Sequence, residues 1–203
     1  MNYEKLKISL RYFCLGKEWY KAVEALEYAA TLHSGTRKDG ITPEFQHQLQ
    51  MAHYVRTLIP SLIYPEETII AVILHDTPED KENEDQNASS AAIERRFGPR
   101  VAKATDLANK HRWASKTKQF EELAKDAIGS VVKGSDRSNN LGSMQGVFTD
   151  EKQKRYIEET IELFLPMLKA ARRHFPQQEP IYENEKHLLL SQIDLLKHLH
   201  KKN

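Results

Sequence analysis

The chain has 203 residues in which 30 Lys and Arg balance 29 Asp and Glu, a length that suits one domain and a charge that argues against a dedicated nucleic-acid-binding protein. The single cysteine, Cys14, excludes an internal disulfide, and the longest apolar run, residues 69–74, falls far short of the roughly 20 residues that a membrane span needs. The first residues mix acidic and basic side chains without the apolar core of a signal peptide, so we expect a cytoplasmic protein that binds neither nucleic acid nor membrane.

From the N-terminus onward, apolar residues recur with helical period, and Gly and Pro fall mostly between the periodic segments. Gly98 ends one predicted helix, Asp150 is the predicted N-cap of another, and Pro166 is expected to kink that helix or to lie near its end. The acidic residues 80–89 are predicted to form a solvated surface loop. The predicted helices cover about residues 18–33, 45–55, 66–75, 89–96, 99–108, 116–133, 150–168 and 180–200.

No segment shows the alternation of apolar and polar residues that is typical of a β-strand. We therefore predict an all-α protein with a single domain over residues 1–203. The polar motifs lie within about residues 33–143, and helices without a recognisable motif fill about residues 150–203. These C-terminal helices are predicted to serve the core and are candidates for a homo-oligomer surface.

The sequence AVILHDTPED, residues 71–80, places an imidazole and three carboxylates directly after a buried apolar segment. A divalent metal site needs histidine or carboxylate ligands that converge from different elements. His75 and Asp76, at the end of the apolar helix, could direct two ligands at one ion. An isolated His-Asp pair is common by chance, however, and alone it is better explained by a core hydrogen bond and a helix end.

Two further segments combine the same kinds of residue. In VVKGSDRSNNLGS, residues 131–143, Asp136 follows the apolar end of a predicted helix, and by itself this segment suits a surface turn of mixed charge. In HSGTRKDGITPEFQH, residues 33–47, two histidines and an Arg-Lys pair lie in a glycine-containing stretch that by itself suits a solvated loop. The order of the three segments along the chain makes them informative together.

These three segments and the RFG of residues 96–98 resemble, in order and spacing, the successive signatures of the HD-domain hydrolases of the RelA/SpoT type. The resemblance covers residues 33–143. It implies a small nucleotide as the partner and an activity that removes the 3′-pyrophosphate of alarmones such as ppGpp, leaving a nucleoside 5′-di- or triphosphate. No synthetase motif follows, so the resemblance is to the stand-alone small alarmone hydrolases.

The resemblance implies a metal site, typically of Mn²⁺, whose ligands are a histidine closing the basic loop, the His-Asp doublet and the aspartate of KGSDR. Mixed nitrogen and oxygen ligands suit Mn²⁺ without excluding other divalent ions. The implied ligands fall on His47, His75, Asp76 and Asp136. His33 competes with His47 for the first position and is predicted to have a structural role.

The acidic pair after the doublet, Glu79 and Asp80, matches the family residues that act around the water and the leaving phosphate. The physical basis is that a metal ion lowers the pKa of a bound water and that a nearby carboxylate helps to move its proton. Arg137 suits a structural ion pair as well as it suits a substrate contact. The positions that match contacts to base, sugar and phosphates are Arg37, Lys38, Lys133, Arg137, Asn140 and Ser143.

Departures from the family pattern cluster near the base and ribose contacts. The usual PYxxHP is PEFQHQ here, the basic loop has one residue fewer before Arg37 and one more after it, and Asn139 stands where the family often has histidine. Pro78 disfavours helical geometry at Thr77, which argues against a position one helical turn after the doublet for the two acids that follow. These changes leave the choice between guanine and adenine alarmones open.

Two other functions fit the same residues. The chain could be a general HD-domain phosphohydrolase of 5′-nucleotides, although such enzymes do not require the RKDG of residues 37–40. It could also be a non-catalytic, antitoxin-like binding partner that has kept the fold. The intact set of predicted metal ligands argues against a loss of catalysis.

Overall fold

The computed structural model describes residues 2–37, 39–82 and 85–200. No β-strand occurs within these ranges, where the one β-type contact is an isolated bridge between Thr36 and Pro43, so the predicted all-α class is confirmed. The helices of the described residues are α1 (Tyr3–Gly16), α2 (Tyr20–Leu32), α3 (Gln46–Val55), α4 (Pro65–Leu74), α5 (Thr77–Lys81), α6 (Ser90–Phe97), α7 (Pro99–Ala108), α8 (Lys116–Leu123), α9 (Gly129–Ser143), α10 (Asp150–Glu159), α11 (Leu165–His174) and α12 (Glu179–His200), with a π-helical turn (Thr160–Phe164) between α10 and α11.

One helix was not predicted, although its signal is present in the sequence. α1 buries Leu6, Leu10 and Cys14, which recur every four residues and form one apolar stripe. The side chain of Asn2 caps this helix by accepting a hydrogen bond from the backbone N–H of Lys5 at 3.1 Å. The many polar residues between the apolar ones made this stripe difficult to recognise. The helix is amphipathic and packs against α2 and α3.

The single helix predicted over residues 116–133 is wrong, because the structure has two helices there. α8 ends at Leu123, and Asp126 starts α9 by accepting hydrogen bonds from the backbone N–H groups of Ile128 and Gly129 at 3.1 and 2.8 Å. α9 then continues to Ser143, so Asp136 lies in the middle of a helix and not after its end.

Smaller differences concern helix ends and the acidic loop. The N-cap of α10 is Thr149, whose hydroxyl accepts from the backbone N–H of Lys152, and not the predicted Asp150. Pro166 lies in the first turn of α11, directly after the π-helical turn, where its missing N–H removes one α-helical hydrogen bond. Within the predicted solvated loop, Ala88 is fully buried, while residues 83 and 84 lie outside the described residues.

α4 is the centre of the packing. Its residues from Thr68 to Leu74 are all buried, and α2, α3, α7 and α9 pack around it. A helix that is apolar on every side belongs in a protein core, and burial of each large aliphatic side chain stabilises it by about 1.5–3 kcal/mol. The C-terminal end of α4 is therefore held rigidly against α3 and α9, and these three elements carry the polar residues described next. No helix of the described residues is long and apolar enough to cross a membrane.

Candidate active site

Two histidines and two aspartates converge where the end of α4 meets α3 and α9. His47 Nε2 lies 3.2 Å from Asp136 Oδ1 and 3.9 Å from Asp76 Oδ2. His75 Nε2 lies 3.1 Å from Asp76 Oδ1 and 3.9 Å from Asp136 Oδ1. The imidazoles are buried, while the aspartate side chains keep 28% and 15% of their surface exposed, so solvent reaches the site from the carboxylate side. The structure thus brings together all four predicted metal ligands.

Each of these residues is placed by a different feature of the packing. His75 directly follows the buried α4, and His47 lies in the first turn of α3. Asp136 lies in the middle of α9, which contacts both α3 and α4. Because α4 is buried on all sides, the position of His75 at its end is fixed by the core of the protein.

Both imidazole rings are oriented so that Nε2 faces the cluster. His75 Nδ1 lies 2.9 Å from the backbone carbonyl of Val72, which accepts its proton, and His47 Nδ1 lies 2.7 Å from Asn139 Oδ1. Asn139 in turn donates from Nδ2 to Gln50 Oε1 at 3.2 Å, which fixes its amide with the oxygen toward His47. Such outer hydrogen bonds are what hold ligating histidines in the correct tautomer. Asn139, a departure from the family pattern, fills this role here.

The aspartates are positioned in the same manner. Gln48 Nε2 donates to Asp76 Oδ2 at 3.1 Å, and Asn140 Nδ2 donates to Asp136 Oδ1 at 2.6 Å. Lys133 Nζ lies 3.8 Å from Asp136 Oδ2 and donates to the backbone carbonyl of Ala108 at 3.1 Å. Each carboxylate is therefore oriented by a side-chain amide donor, and the oxygen of Asp136 that accepts from Asn140 is the one that faces both imidazoles.

The charged groups of the cluster shift one another's pKa values. Burial acts to lower the pKa of His75, but the neighbouring carboxylates of Asp76 and Asp136 raise it to about 9. Burial acts to raise the pKa of Asp76, yet the adjacent imidazoles of His75 and His47 hold it well below its usual range. The pKa of Asp136 is depressed in the same way, against burial, by the hydrogen bond from His47 and by the charge of Lys133. The cluster thus favours a positive charge between two ionised carboxylates.

The residues fit a divalent metal ion. His75 Nε2 is buried, has no hydrogen-bond partner and lies 3.1 Å from Asp76 Oδ1, so the positive charge that the two carboxylates favour at this atom could be supplied by a metal ion in place of a proton. Ligand atoms of His47, His75 and Asp136 all lie within 4.8 Å of one another. Two neutral imidazoles and two carboxylates are a donor set that several divalent transition metals accept.

The acidic pair that follows the doublet lies in the first turns of α5. The backbone N–H of Asp80 donates to the carbonyl of Asp76 at 2.8 Å, so the acids do lie one helical turn after the doublet, and the opposite expectation is wrong. Pro78 is tolerated because it is the second residue of α5, where its missing N–H would have no acceptor within the helix. Glu79 is held by Lys110, whose backbone N–H donates to Oε2 at 3.0 Å and whose ammonium donates to Oε1.

A single cavity of about 650 Å³ joins the cluster to the other predicted positions. Lys38 lies outside the described residues. The predicted residues that line the cavity are Arg37, His47, Asp76, Glu79, Asp80, Lys133, Asp136, Arg137, Asn140 and Ser143, and His75 lies buried beside them.

Arg137 lines the cavity but is held by the protein itself. Its guanidinium forms an ion pair with Glu159 and lies 4.4 and 4.0 Å from the ring centroids of Tyr156 and Phe164. Only 8% of its side chain is exposed. These contacts favour the structural ion pair over the substrate contact, two roles that the sequence left equal.

His33 lies outside the cluster of His47, His75, Asp76 and Asp136, and the structural role predicted for it stays a prediction. Its Nδ1 lies 3.1 Å from Glu44 Oε1 and its Nε2 lies 3.2 Å from Thr77 Oγ1. Glu44 stands where the family pattern has tyrosine, and it also lies 3.6 Å from Lys81 Nζ. His33 and Glu44 thus connect the loop of residues 33–47 to Thr77 at the start of α5, one turn before Asp80.

Several residues of the cavity were not predicted from the sequence. Lys110, Lys116 and Glu159 line it, and Gln48 orients Asp76 from the residue after His47. The three charged residues carry no signal in a single sequence, because isolated lysines and glutamates are abundant on any helical surface. For Gln48, the neighbouring histidine was the one available signal.

Comparison with known proteins gives the same reading of the fold. The family model described as "HD domain" matches residues 25–174, which contain the whole cluster and all the described residues that line the cavity.

Several curated relatives match about seven-tenths of the chain. A protein of Aquifex aeolicus named guanosine-3′,5′-bis(diphosphate) 3′-pyrophosphohydrolase is 31% identical over 151 residues, which are 70% of this chain and 20% of that protein. A GTP pyrophosphokinase rsh of Brucella ovis is 29% identical over 155 residues, 71% of this chain and 19% of that protein. A probable guanosine-3′,5′-bis(diphosphate) 3′-pyrophosphohydrolase of Synechocystis is 28% identical over 151 residues, 69% of this chain and 19% of that protein. The chain thus spans about a fifth of the length of these relatives.

Proposed function

The chain belongs to the HD-domain family, and on this premise we propose that it is a metal-dependent hydrolase that removes the 3′-pyrophosphate from purine alarmones, (p)ppGpp or (p)ppApp. The products are pyrophosphate and a nucleoside 5′-di- or triphosphate. The observation that carries the proposal is the cluster of two buried histidines, His47 and His75, with Asp76 and Asp136, at one side of a cavity of about 650 Å³, a volume within the range of small-ligand pockets. The names of two relatives point to the same substrate class.

The metal proposed for the cluster is Mn²⁺, held by His47, His75, Asp76 and Asp136. The two carboxylates and two imidazoles form a donor set of intermediate hardness, which suits Mn²⁺. When bound, such an ion supplies Lewis-acid activation of water and neutralises charge on a phosphoryl oxygen. Asn139 and Gln48 serve the centre by keeping His47 Nε2 and Asp76 oriented toward it.

We assign the proton-transfer steps to Glu79 and Asp80, which lie one helical turn after Asp76 and line the same cavity. A carboxylate near the reacting water can accept its proton and pass a proton to the leaving pyrophosphate. Lys110 fixes Glu79 with two donors, which restricts the carboxylate to one orientation. Asn140 and Ser143, one and two turns after Asp136 on α9, are assigned to the sugar and the 3′-phosphate, and Arg37 and Lys38 to the base and the phosphates.

We propose that the protein acts in the cytoplasm, where free purine nucleotides are found. We also propose that the chain forms one catalytic domain. Its single cysteine, Cys14, is free and buried, and burial raises the pKa of the thiol to about 11, which keeps it unreactive.

The test is an assay of purified protein with Mn²⁺ and, side by side, ppGpp and ppApp. The wild type is expected to release pyrophosphate from at least one of them, and Asp136→Asn to lose at least 100-fold in rate, because it removes one ligand. Asp106→Asn is the matched control, since Asp106 lines a separate cleft, and it is expected to keep full activity.

Three outcomes would contradict the proposal. Wild-type protein that binds Mn²⁺ but releases no pyrophosphate from either alarmone would rule it out. Release of orthophosphate from nucleoside monophosphates, without activity on alarmones, would instead indicate a general nucleotide phosphohydrolase. A His75→Ala variant that still protected cells from a toxic alarmone synthetase would indicate a binding partner.

A further inference from the structure

The cavity has an excess of negative charge before any metal or substrate is considered. Among the described residues, its lining holds five cationic side chains and seven carboxylates. A bound divalent cation would about balance this difference, but the alarmone that we propose as substrate carries several further negative charges. Binding of such a substrate therefore requires cationic side chains that can exchange an ion pair with a protein carboxylate for an ion pair with a phosphate.

Four of the five cations are engaged with carboxylates. Lys110 pairs with Glu79, Lys133 with Asp136, and both Lys116 and Arg137 with Glu159. Lys110 and Lys133 are also bound to backbone or to the proposed catalytic groups, so moving either one would disturb the reaction centre.

Lys116 differs from the other cations because its carboxylate partner would remain paired if the ammonium of Lys116 moved away. Its partner Glu159 keeps a second cation, the guanidinium of Arg137, which is buried between two aromatic rings and cannot leave with it. Glu159 would therefore remain neutralised, with 21% of its side chain exposed. The Lys116 side chain is 66% exposed, so its ammonium can move through solvent at little cost.

We propose that Lys116 is a phosphate-binding residue of the cavity and that Glu159 holds it at the cavity wall until an anionic ligand replaces the carboxylate. The inference rests on the proposed function for the identity of the ligand. Lys110 and Lys133 are the cations paired with Glu79 and Asp136, whereas Lys116 is paired with Glu159, so we assign Lys116 to the end of the nucleotide that does not react, the 5′-phosphates. A terminal phosphate offers two negative charges where Glu159 offers one, and so it competes effectively for the ammonium.

The test compares Lys116→Met with Lys118→Met, a matched control two residues further along α8 that is exposed and does not line the cavity. Three quantities are measured in Mn²⁺ for each protein: KM and kcat for ppGpp by steady-state kinetics, and the dissociation constant for GDP by calorimetry. For Lys116→Met we expect KM and the GDP dissociation constant to rise about tenfold, with kcat within twofold of wild type, because a charge-assisted contact made equally in the ground and transition states is lost. Lys118→Met is expected to match the wild type in every value.

The two proposals fail in different ways. If the wild type hydrolyses ppGpp and Lys116→Met keeps its KM and its GDP affinity, the role of Lys116 is refuted while the proposed function stands. If the wild type hydrolyses no alarmone, the proposed function is refuted, and GDP binding alone decides: a Lys116-dependent affinity supports the phosphate contact, and an unchanged or absent affinity overturns it. A fall in kcat without a rise in KM would also overturn it, since Lys116 would then act in the chemical step.

Discussion

Glu185 is a carboxyl group without a partner in the core, and its replacement by glutamine should stabilise the protein at neutral pH. The side chain is 0% exposed, and neither carboxyl oxygen has a hydrogen-bond partner. It lies against α9, so closely that a Cβ atom on Gly134 would come within 2.2 Å of Oε2. Burial raises the pKa of Glu185 well above 4.5, so the folded protein keeps it protonated where the unfolded chain ionises it.

The sign and size of the effect follow from this difference. Above pH 4.5 the unfolded state loses a proton that the folded state retains, so stability falls as the pH rises, by up to about 1.4 kcal/mol per pH unit, until the raised pKa is reached. Glu185→Gln, which cannot ionise, removes this loss. Below pH 4.5 the two proteins should have nearly the same free energy of unfolding, because a neutral carboxyl and an amide of the same shape are buried at similar cost.

The assay is urea denaturation of both proteins between pH 4 and pH 8, followed by circular dichroism. Glu183→Gln is the matched control on the same helix, because Glu183 is partly exposed and is held by Lys186 and Arg172, with a pKa lowered by the hydrogen bond from Lys186. It should show no advantage that grows with pH. A constant difference between wild type and Glu185→Gln at all pH values, or a difference that grows toward acid, would show that Glu185 is not kept protonated by burial in the folded protein.

Three more predictions concern the candidate active site and the turn between α6 and α7. Asn139→Ala should weaken Mn²⁺ binding by about 10- to 100-fold, measured by calorimetry, because His47 loses the acceptor for Nδ1–H; an unchanged affinity would contradict that role. Lys110→Met should lower kcat by about tenfold or more, because Glu79 loses the ammonium that holds it, and a change confined to KM in steady-state kinetics would speak against this. Gly98→Ala should lower the free energy of unfolding by about 1–3 kcal/mol in urea titrations, since Gly98 has φ of +94° between α6 and α7; equal stability would show that the strain is relieved.

The helical class and the four-residue cluster follow from the sequence for identifiable reasons. The second half of α4, residues 69–74, is apolar and is followed at once by His75 and Asp76, so the sequence alone places two proposed ligands at the end of a buried segment. His47 and Asp136 lie far away in the chain, and only the order of the motifs joined them to the doublet. Asp136 was nevertheless placed after a helix, because the KGSDRSNNLGS of α9 is rich in residues of low helix propensity.

Tertiary contacts account for that error and for the residues that were missed. α9 is helical because it packs along α3, α4, α7 and α12, and its glycines allow close approach, as at Gly134 beside Glu185. The ion pairs of Lys110 and Lys116 join residues 31 and 43 positions apart, and the spacing of charges in one sequence does not predict such pairs. The effect of Pro78 was overestimated because the start of α5, where proline is tolerated, could not be located in advance.

Phosphorus NMR of the products formed from ppGpp by the purified protein, in Mg²⁺ with catalytic Mn²⁺, would show directly which bond is cleaved; the paramagnetic ion is removed before the spectrum is recorded. We expect the 3′-diphosphate resonances to disappear while the single resonance of pyrophosphate appears in equal amount with those of GDP. We also expect Asp136→Asn to leave the spectrum of the substrate unchanged, since Asp136 is part of the proposed metal centre. Orthophosphate as the first product, cleavage at the 5′ end, or full activity of Asp136→Asn would contradict the proposed removal of the 3′-pyrophosphate at this centre.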